Sequence, residues 1–382
     1  MKKKSHDLME RRRFLALAGQ GICLCALGGL AGAACSDTYC QSGRDYYLKP
    51  ARMWKKLEGG QVKCGLCPNG CVLDDGDRGV CRVRKNIKGS LYTLVYSRIA
   101  AAHVDPIEKK PFFHFLPGST AFSVATAGCN IACKFCQNWE LSQSNPEDLD
   151  AERIGPDDLP RRARAGGSKV IAFTYNEPTV QFEYILDASA EARRRGVRSV
   201  IVSNGFIRPE AGKMLARGLD AVKIDLKAFT EDFYVNICAG RLKPVLDNLV
   251  AVHSTGKWME IVVLVIPTLN DSPSEIRKMT SWVRKNLSPD VPMHFTRFHA
   301  MYKIQNLPPT PVSTLERCRI IAKEEGIRYP YVGNVDGHRW ENTYCHGCGK
   351  MIIRRSGFYH VENGLRSGAC PYCKTKIPGV WM

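Results

Sequence analysis

The sequence predicts an α/β protein: a full or partial (β/α) barrel, flanked by an N-terminal four-cysteine module and a C-terminal zinc-ribbon-like module. Two observations carry this. Between residues 119 and 340, short apolar, β-branched runs alternate with helix-like stretches, the pattern of a parallel sheet covered by helices. On either side of that region cysteines gather in C-x2-C pairs, which favour metal or cluster ligation over disulfides. The 382 residues are 44% hydrophobic and 24% charged, an ordinary globular balance with enough chain for one large domain and one or two small ones.

The chain begins MKKKSHDLMERRRFLALAG, a charged start, and runs on without charge from Phe14 to Ala34. Residues 1–35 are expected to be an export signal, with a membrane anchor as the alternative. Arg11-Arg12-Arg13-Phe14-Leu15 resembles the twin-arginine pattern, whose route carries folded proteins, and Cys35 after Gly-Ala-Ala is a candidate for lipid attachment. The expected location is therefore periplasmic or membrane-associated through the N-terminus, and cytoplasmic if the signal is not used. Residues 36–60 are polar, with Gly and Pro, and read as a linker.

Residues 61–118 form the first cysteine module, with Cys64, Cys67, Cys71 and Cys81 spaced C-x2-C-x3-C-x9-C. That spacing is irregular for a zinc ribbon, and four thiolates there suit zinc or a second cluster. The segment HVDPIEKKPFFHFLPGS (103–119) is expected to cap the barrel mouth, with His103 and His114 structural. Six strand candidates follow: residues 121–127, 169–175, 197–203, 220–226, 260–266 and 293–299. Helix-like segments lie between them, such as residues 179–196, which close on Gly196. Polar residues sit at the C-terminal ends of these strands, where a barrel gathers its catalytic groups. A doubly wound open sheet is the alternative.

In residues 341–382 the spacing Cys345-x2-Cys348-x21-Cys370-x2-Cys373 gives two knuckles joined by a hairpin-like segment. Four thiolates close the shell of a structural zinc; iron or two disulfides are the other readings. Cys238 and Cys318 stand alone and are expected as small buried apolar residues. The formal net charge of +18 suits nucleic acid, an anionic membrane or an acidic protein, but no arginine-rich tract or nucleic-acid module accompanies it, so no specific nucleic acid is expected and a solvated basic surface explains the charge.

The first strand candidate runs into A-G-C-N-I-A-C-K-F-C-Q-N-W, which places Cys129, Cys133 and Cys136 in a C-x3-C-x2-C loop on the catalytic face. Three thiolates can hold three irons of a [4Fe–4S] cube and leave the fourth iron open. They can also hold zinc with a water, or belong to a cluster whose last ligand lies elsewhere.

This loop, with Phe135 before its last cysteine, resembles that of the radical S-adenosylmethionine (radical SAM) superfamily. The subgroup it resembles contains the pyruvate formate-lyase activating enzymes, and more closely the radical SAM proteins of the AmmeMemoRadiSam system. The resemblance runs from about Cys64 to the C-terminus. It implies a barrel of the radical SAM type, a [4Fe–4S] cluster on Cys129, Cys133 and Cys136, and S-adenosylmethionine chelated at the open iron. Phe135 would border the adenine. Thr174-Tyr175-Asn176-Glu177-Pro178 takes the place of the family's G-G-E-P stretch, so that Glu177 would accept from the methionine ammonium and the backbone at Asn176 would approach the cofactor; Tyr175 and Asn176 stand where two glycines are usual. Asn204 in Ser203-Asn204-Gly205, with Asp225 and Lys227 in Asp225-Leu226-Lys227, would face the cofactor's polar groups, and His299 its ribose. No catalytic residue is assigned beyond these. The implied activity is reductive cleavage of the cofactor and hydrogen abstraction from an unidentified substrate, a protein by analogy with the activating enzymes, with a low-potential electron donor as partner. The competing reading is an exported iron–sulfur electron carrier or zinc-bearing interaction protein. Such a protein has no need of the strand-end set Glu177, Asn204, Asp225 and Lys227.

Overall fold

The computed structural model describes residues 47–381. The export-signal segment, residues 1–35, and the first part of the expected linker lie outside the described residues. Within the rest of that linker, Lys49–Pro50 and Trp54–Lys56 are strands, each paired antiparallel in a small three-stranded sheet of the cysteine module. The polar composition hid them, because such short strands bury few side chains and leave little alternation to read.

The main sheet has eight strands: β1 (Ala101–Pro106), β2 (Thr120–Ala125), β3 (Val170–Phe173), β4 (Arg198–Ser203), β5 (Ala221–Asp225), β6 (Trp258–Val265), β7 (Met293–Arg297) and β8 (Pro330–Gly333). They lie side by side in chain order from β1 to β8. β1 is antiparallel to β2, with Ala101 opposite Ala125, and β2 to β8 are parallel throughout. Helices α1 (Asp158–Ala165), α2 (Phe182–Arg194), α3 (Pro209–Gly218), α4 (Leu242–His253), α5 (Pro273–Asn286) and α6 (Val312–Glu324) each return the chain to the next strand. A strictly sequential order without a reversal excludes the doubly wound alternative. One cavity touches Lys109 and Lys110 beyond β1 and Asn334 beyond β8, so the sheet curls until its two edges face the same space. β1 and β8 do not pair, and the barrel is partial.

All six strand candidates are present. The edge strands β1 and β8 were not legible as strands: β1 lies in the segment read as part of the cysteine module, and β8 is a four-residue stretch beginning with Pro330. Alternation sorts each strand's side chains. Ile171 and Phe173 of β3, Ile201 of β4 and Ile261 of β6 pack outward with Ile185, Leu215, Leu249 and Met279 of the helices. Val170, Ala172, Val200 and Ala221 point inward and meet Ile107, Phe112, Phe115 and Leu116. These inward residues lie at or near the N-terminal ends of their strands. Residues 107–116 therefore plug the end of the barrel away from the strand C-termini, and do not cap the mouth as expected. The apolar content of IEKKPFFHFL explains the placement: Phe112 and Phe115 are fully buried against Ala121, Val170, Ala172, Val200 and Ala221 of the converging strands.

His114 is structural, as expected. It is buried, its Nδ1 lies 2.7 Å from the carbonyl of Pro378 and its Nε2 lies 2.6 Å from the Tyr331 hydroxyl. At the C-terminus, Thr343–Tyr344, Met351–Ser356 and His360–Asn363 make a three-stranded antiparallel sheet whose apolar face joins Tyr329 and Tyr331. Cys238 and Cys318 are buried. Among the described residues no helix is long and apolar enough to cross a membrane.

Candidate active site

A cavity of about 490 Å³ opens at the C-terminal ends of the parallel strands. Its wall on one side is the loop after β2. Gly128 there has φ of 90°, and a Cβ at that position would meet the Cys81 carbonyl oxygen at 2.4 Å. Only glycine lets the loop lie flat against the cysteine module. The loop is then held on both sides: the N–H of Ala132 donates to the carbonyl of Cys238 and that of Lys134 to the carbonyl of Ile237, each at 2.9 Å, and Asn130 Nδ2 donates to the carbonyl of Phe206 at 2.6 Å.

The cavity brings together Cys129, Cys133, Cys136, Phe135, Asn176, Glu177, Asn204, Asp225 and Lys227. Their positions follow from alternation. Thr174, Asn204 and Asp225 stand at or just past the strand ends, in register with inward-facing neighbours. His299 is not brought in. β7 ends at Arg297, the buried Phe298 donates its N–H to Thr310 Oγ1 at 2.9 Å, and His299 turns out to solvent.

Each carboxylate has a distinct setting. Glu177 is buried, with Oε1 accepting from the Thr179 N–H at 2.9 Å, the Thr179 hydroxyl at 2.7 Å and the Ser203 hydroxyl at 2.7 Å, and Oε2 accepting from the Asn204 N–H at 2.7 Å. Much of its hydrogen-bonding capacity therefore knits β3 to β4, a tie the sequence did not announce. Burial still pushes its acid upward, against those donors. Asp225 lies between Lys223, in direct contact, and Lys227, whose Nζ is 3.2 Å away. Burial works against its charge, yet the two ammonium groups hold the acid down to about 2. Lys227 Nζ also lies 5.7 Å from the centre of the Phe135 ring. Asn204 Nδ2 donates to Asn130 Oδ1 at 2.9 Å and points at Cys129 Sγ at 3.7 Å. Asn176 Nδ2 donates to the carbonyl of Gly128 at 2.8 Å, while its buried Oδ1 has no partner.

Tyr175, which stands where a glycine is usual, does adopt a glycine-like backbone, with φ of 68°. Its hydroxyl donates to Asp105, and its ring lies 4.3 Å from Lys110 Nζ; that ammonium in turn donates to Asp105 at 2.5 Å. Sequence reading missed Lys223 and Lys110 as cavity residues. The signal for Lys223 was available: it precedes Asp225 by two on β5 and so shares its face.

The thiols fall into two spacings. A zinc ion binds thiolate at about 2.3 Å, which sets tetrahedral sulfurs about 3.8 Å apart. Cys345 and Cys373 have Sγ atoms 3.5 Å apart, and Cys348 and Cys370 3.7 Å, all four within 4.8 Å of one another. Among the described residues no other three cysteines approach so closely. The three loop thiols line the cavity and do not all lie within 4.8 Å of one another. Cys238 contacts Cys133 from behind and does not line the cavity, so the three loop thiols are the ones the cavity reaches.

The family model for the radical SAM superfamily matches residues 123–280. The chain is 39% identical over 332 residues to an uncharacterised protein of Methanocaldococcus jannaschii, covering 86% of this chain and 99% of that one. It is 27% identical over 163 residues to the pyruvate formate-lyase-activating enzyme of Clostridium pasteurianum, covering 41% of this chain and 66% of the other. Among solved structures, a radical SAM methyltransferase from Sphaerobacter thermophilus superposes with a TM-score of 0.45 at 16% identity, over 77% of this chain and 80% of that one.

Proposed function

We propose, on the premise that this chain belongs to the radical SAM superfamily, that it binds a [4Fe–4S] cluster on Cys129, Cys133 and Cys136 and cleaves S-adenosylmethionine to start radical chemistry on a further substrate. The observation that carries this is the convergence of the three loop thiols with Asn176, Asn204, Asp225 and Lys227 on one cavity. An electron carrier has no use for such a set.

Held by Cys129, Cys133 and Cys136, a reduced cluster would supply the one electron that cleavage of the sulfonium to methionine and a hydrogen-abstracting radical requires. The chain's own residues do the positioning. The ligand carries an ammonium, a carboxylate and a sulfonium, and the cavity answers each polar group. Glu177, which lines the cavity, would accept from the ammonium, and Lys223 and Lys227 offer cations to the carboxylate. Asp225 stays ionised at neutral pH and holds the two lysines in place. Glu177 fixes the backbone on which Asn204 is presented. Phe135 is an apolar wall for the adenine.

The substrate is open, and a protein substrate follows the likeness to activating enzymes. The reading requires a low-potential one-electron donor. The C-terminal four-thiolate group takes a structural zinc, supported by its single-ion spacing. Passage through a twin-arginine-like signal suits a protein whose cluster is assembled before export.

The test is anaerobic. The protein is reconstituted with iron and sulfide, reduced and given S-adenosylmethionine, and 5′-deoxyadenosine is measured. Cys133→Ala should lose both the cluster signal and the cleavage. A well-formed cluster that yields no 5′-deoxyadenosine sinks the proposal.

A further inference from the structure

We infer that Cys64, Cys67, Cys71 and Cys81 hold a second iron–sulfur cluster, of the cubane class and with every iron ligated by thiolate. All four side chains line one small, largely buried cavity, closed otherwise by Leu66, Val80, Val180, Gly79, Arg84 and Asn130 among its neighbours. Four thiols facing one cavity are not paired as disulfides, and all four are free. The choice is then between one ion and a cluster.

The chain supplies its own comparison. Its C-terminal four thiols close to within 4.8 Å of one another, as a single ion demands, whereas no three of Cys64, Cys67, Cys71 and Cys81 do. They stand around a space and do not converge on a point, the arrangement that a cube of alternating iron and sulfide requires.

A second, independent feature borders the same space. Arg84 is 1% exposed, pairs with Glu183 at 2.6 Å through its Nη2 and gives its Nη1 to the carbonyl of Arg52 at 2.9 Å. Its buried Nε–H has no partner, and the residue borders the cysteine cavity. Glu183 balances the charge, but a buried N–H left without an acceptor is costly. Sulfur at the cavity would supply that acceptor.

The position matters. Asn130, which lines this cavity, is the residue after Cys129, and its carbonyl accepts from Asn69 Nδ2 at 2.7 Å. The two cysteine sites share a wall. A cluster with no open iron offers only an electron to its neighbour. The inference concerns the metal alone and does not depend on the chemistry proposed for the loop.

The full chain carrying Cys129→Ser, Cys133→Ser and Cys136→Ser together is reconstituted anaerobically, desalted and assayed for iron, sulfide and zinc. Retention of about four iron and about four sulfide per chain is expected. Zinc in place of iron, or loss of both iron and sulfide, overturns the inference. If the triple variant does not fold, the wild-type count decides: about eight iron per chain supports a second cluster, and about four refutes it.

Discussion

Asn176 donates a 2.8 Å hydrogen bond to the carbonyl of Gly128, which ties the turn after β3 to the base of the cysteine loop. Its Nδ2 group spans two segments that are 48 residues apart. Replacing Asn176 with Ala leaves that buried carbonyl short of its donor. The expected loss is about 1–3 kcal/mol in denaturant unfolding. The variant should also require more S-adenosylmethionine for half-maximal cleavage. An unchanged unfolding midpoint would show that the loop does not need this tie.

Tyr175 has φ of 68°, a region that a residue with a Cβ enters at a cost. Both Tyr175→Ala and Tyr175→Gly remove the hydroxyl bond to Asp105 and the ring contact with Lys110. The glycine variant alone relieves the backbone. It should therefore be more stable than the alanine variant by about 1 kcal/mol. Equal stabilities would mean that the turn carries no strain.

Glu341 is buried and its Oε2 has no partner. Burial, with Asp336 adding to it, raises the acid from 4.5 to about 7 despite the N–H groups of Gly357 and Gly337. The folded state thus favours the protonated acid. The stability it lends is fully present below about pH 4.5 and is lost as pH rises through about 7. Glu341→Gln removes this slope. Measured by urea unfolding, the variant should gain on the wild type as pH is raised across that window, and a constant difference would contradict the assignment.

The Arg84–Glu183 pair is sealed, with side chains 1% and 2% exposed. Glu183→Gln leaves a buried cation uncompensated, and the expected cost is about 3–5 kcal/mol. The double variant Arg84→Met with Glu183→Met should recover most of that cost. Failure of the double variant to recover would mean that Arg84 answers a second buried anion beside Glu183, and iron analysis of the same sample would say whether the cysteine cavity supplies it.

How much of this was legible follows from what leaves a local trace. Six of the parallel strands could be read because each is a continuous apolar run between turn residues, as in VRSVIVS. The strand at 330–333 was too short, and the strand at 101–106 is an edge with His103 and Val104 exposed, so neither shows a buried face. Asp225 and Lys227 were placed by the resemblance of Asp225-Leu226-Lys227 to a family motif at the end of a legible strand. What could not be read was how buried partners divide their hydrogen bonds. Nothing local says that Glu177 gives its oxygens to Thr179, Ser203 and Asn204, since two of those partners arrive from the next strand. His299 failed for the same reason in reverse: a one-residue change of direction after Phe298 sends it to solvent.

The contact at Gly128 bears on how this architecture can be taken apart. With the Cys81 carbonyl and the Val83 side chain occupying the space where a Cβ would sit, one wall of the catalytic loop is built by chain that precedes the barrel. A fragment beginning at residue 119 would not be a minimal catalyst. It would lose the antiparallel edge strand, the plug and the surface against which the loop is pressed. The barrel and its small neighbour are thus constrained to vary together, and transplanting either onto a related scaffold would require carrying the other with it.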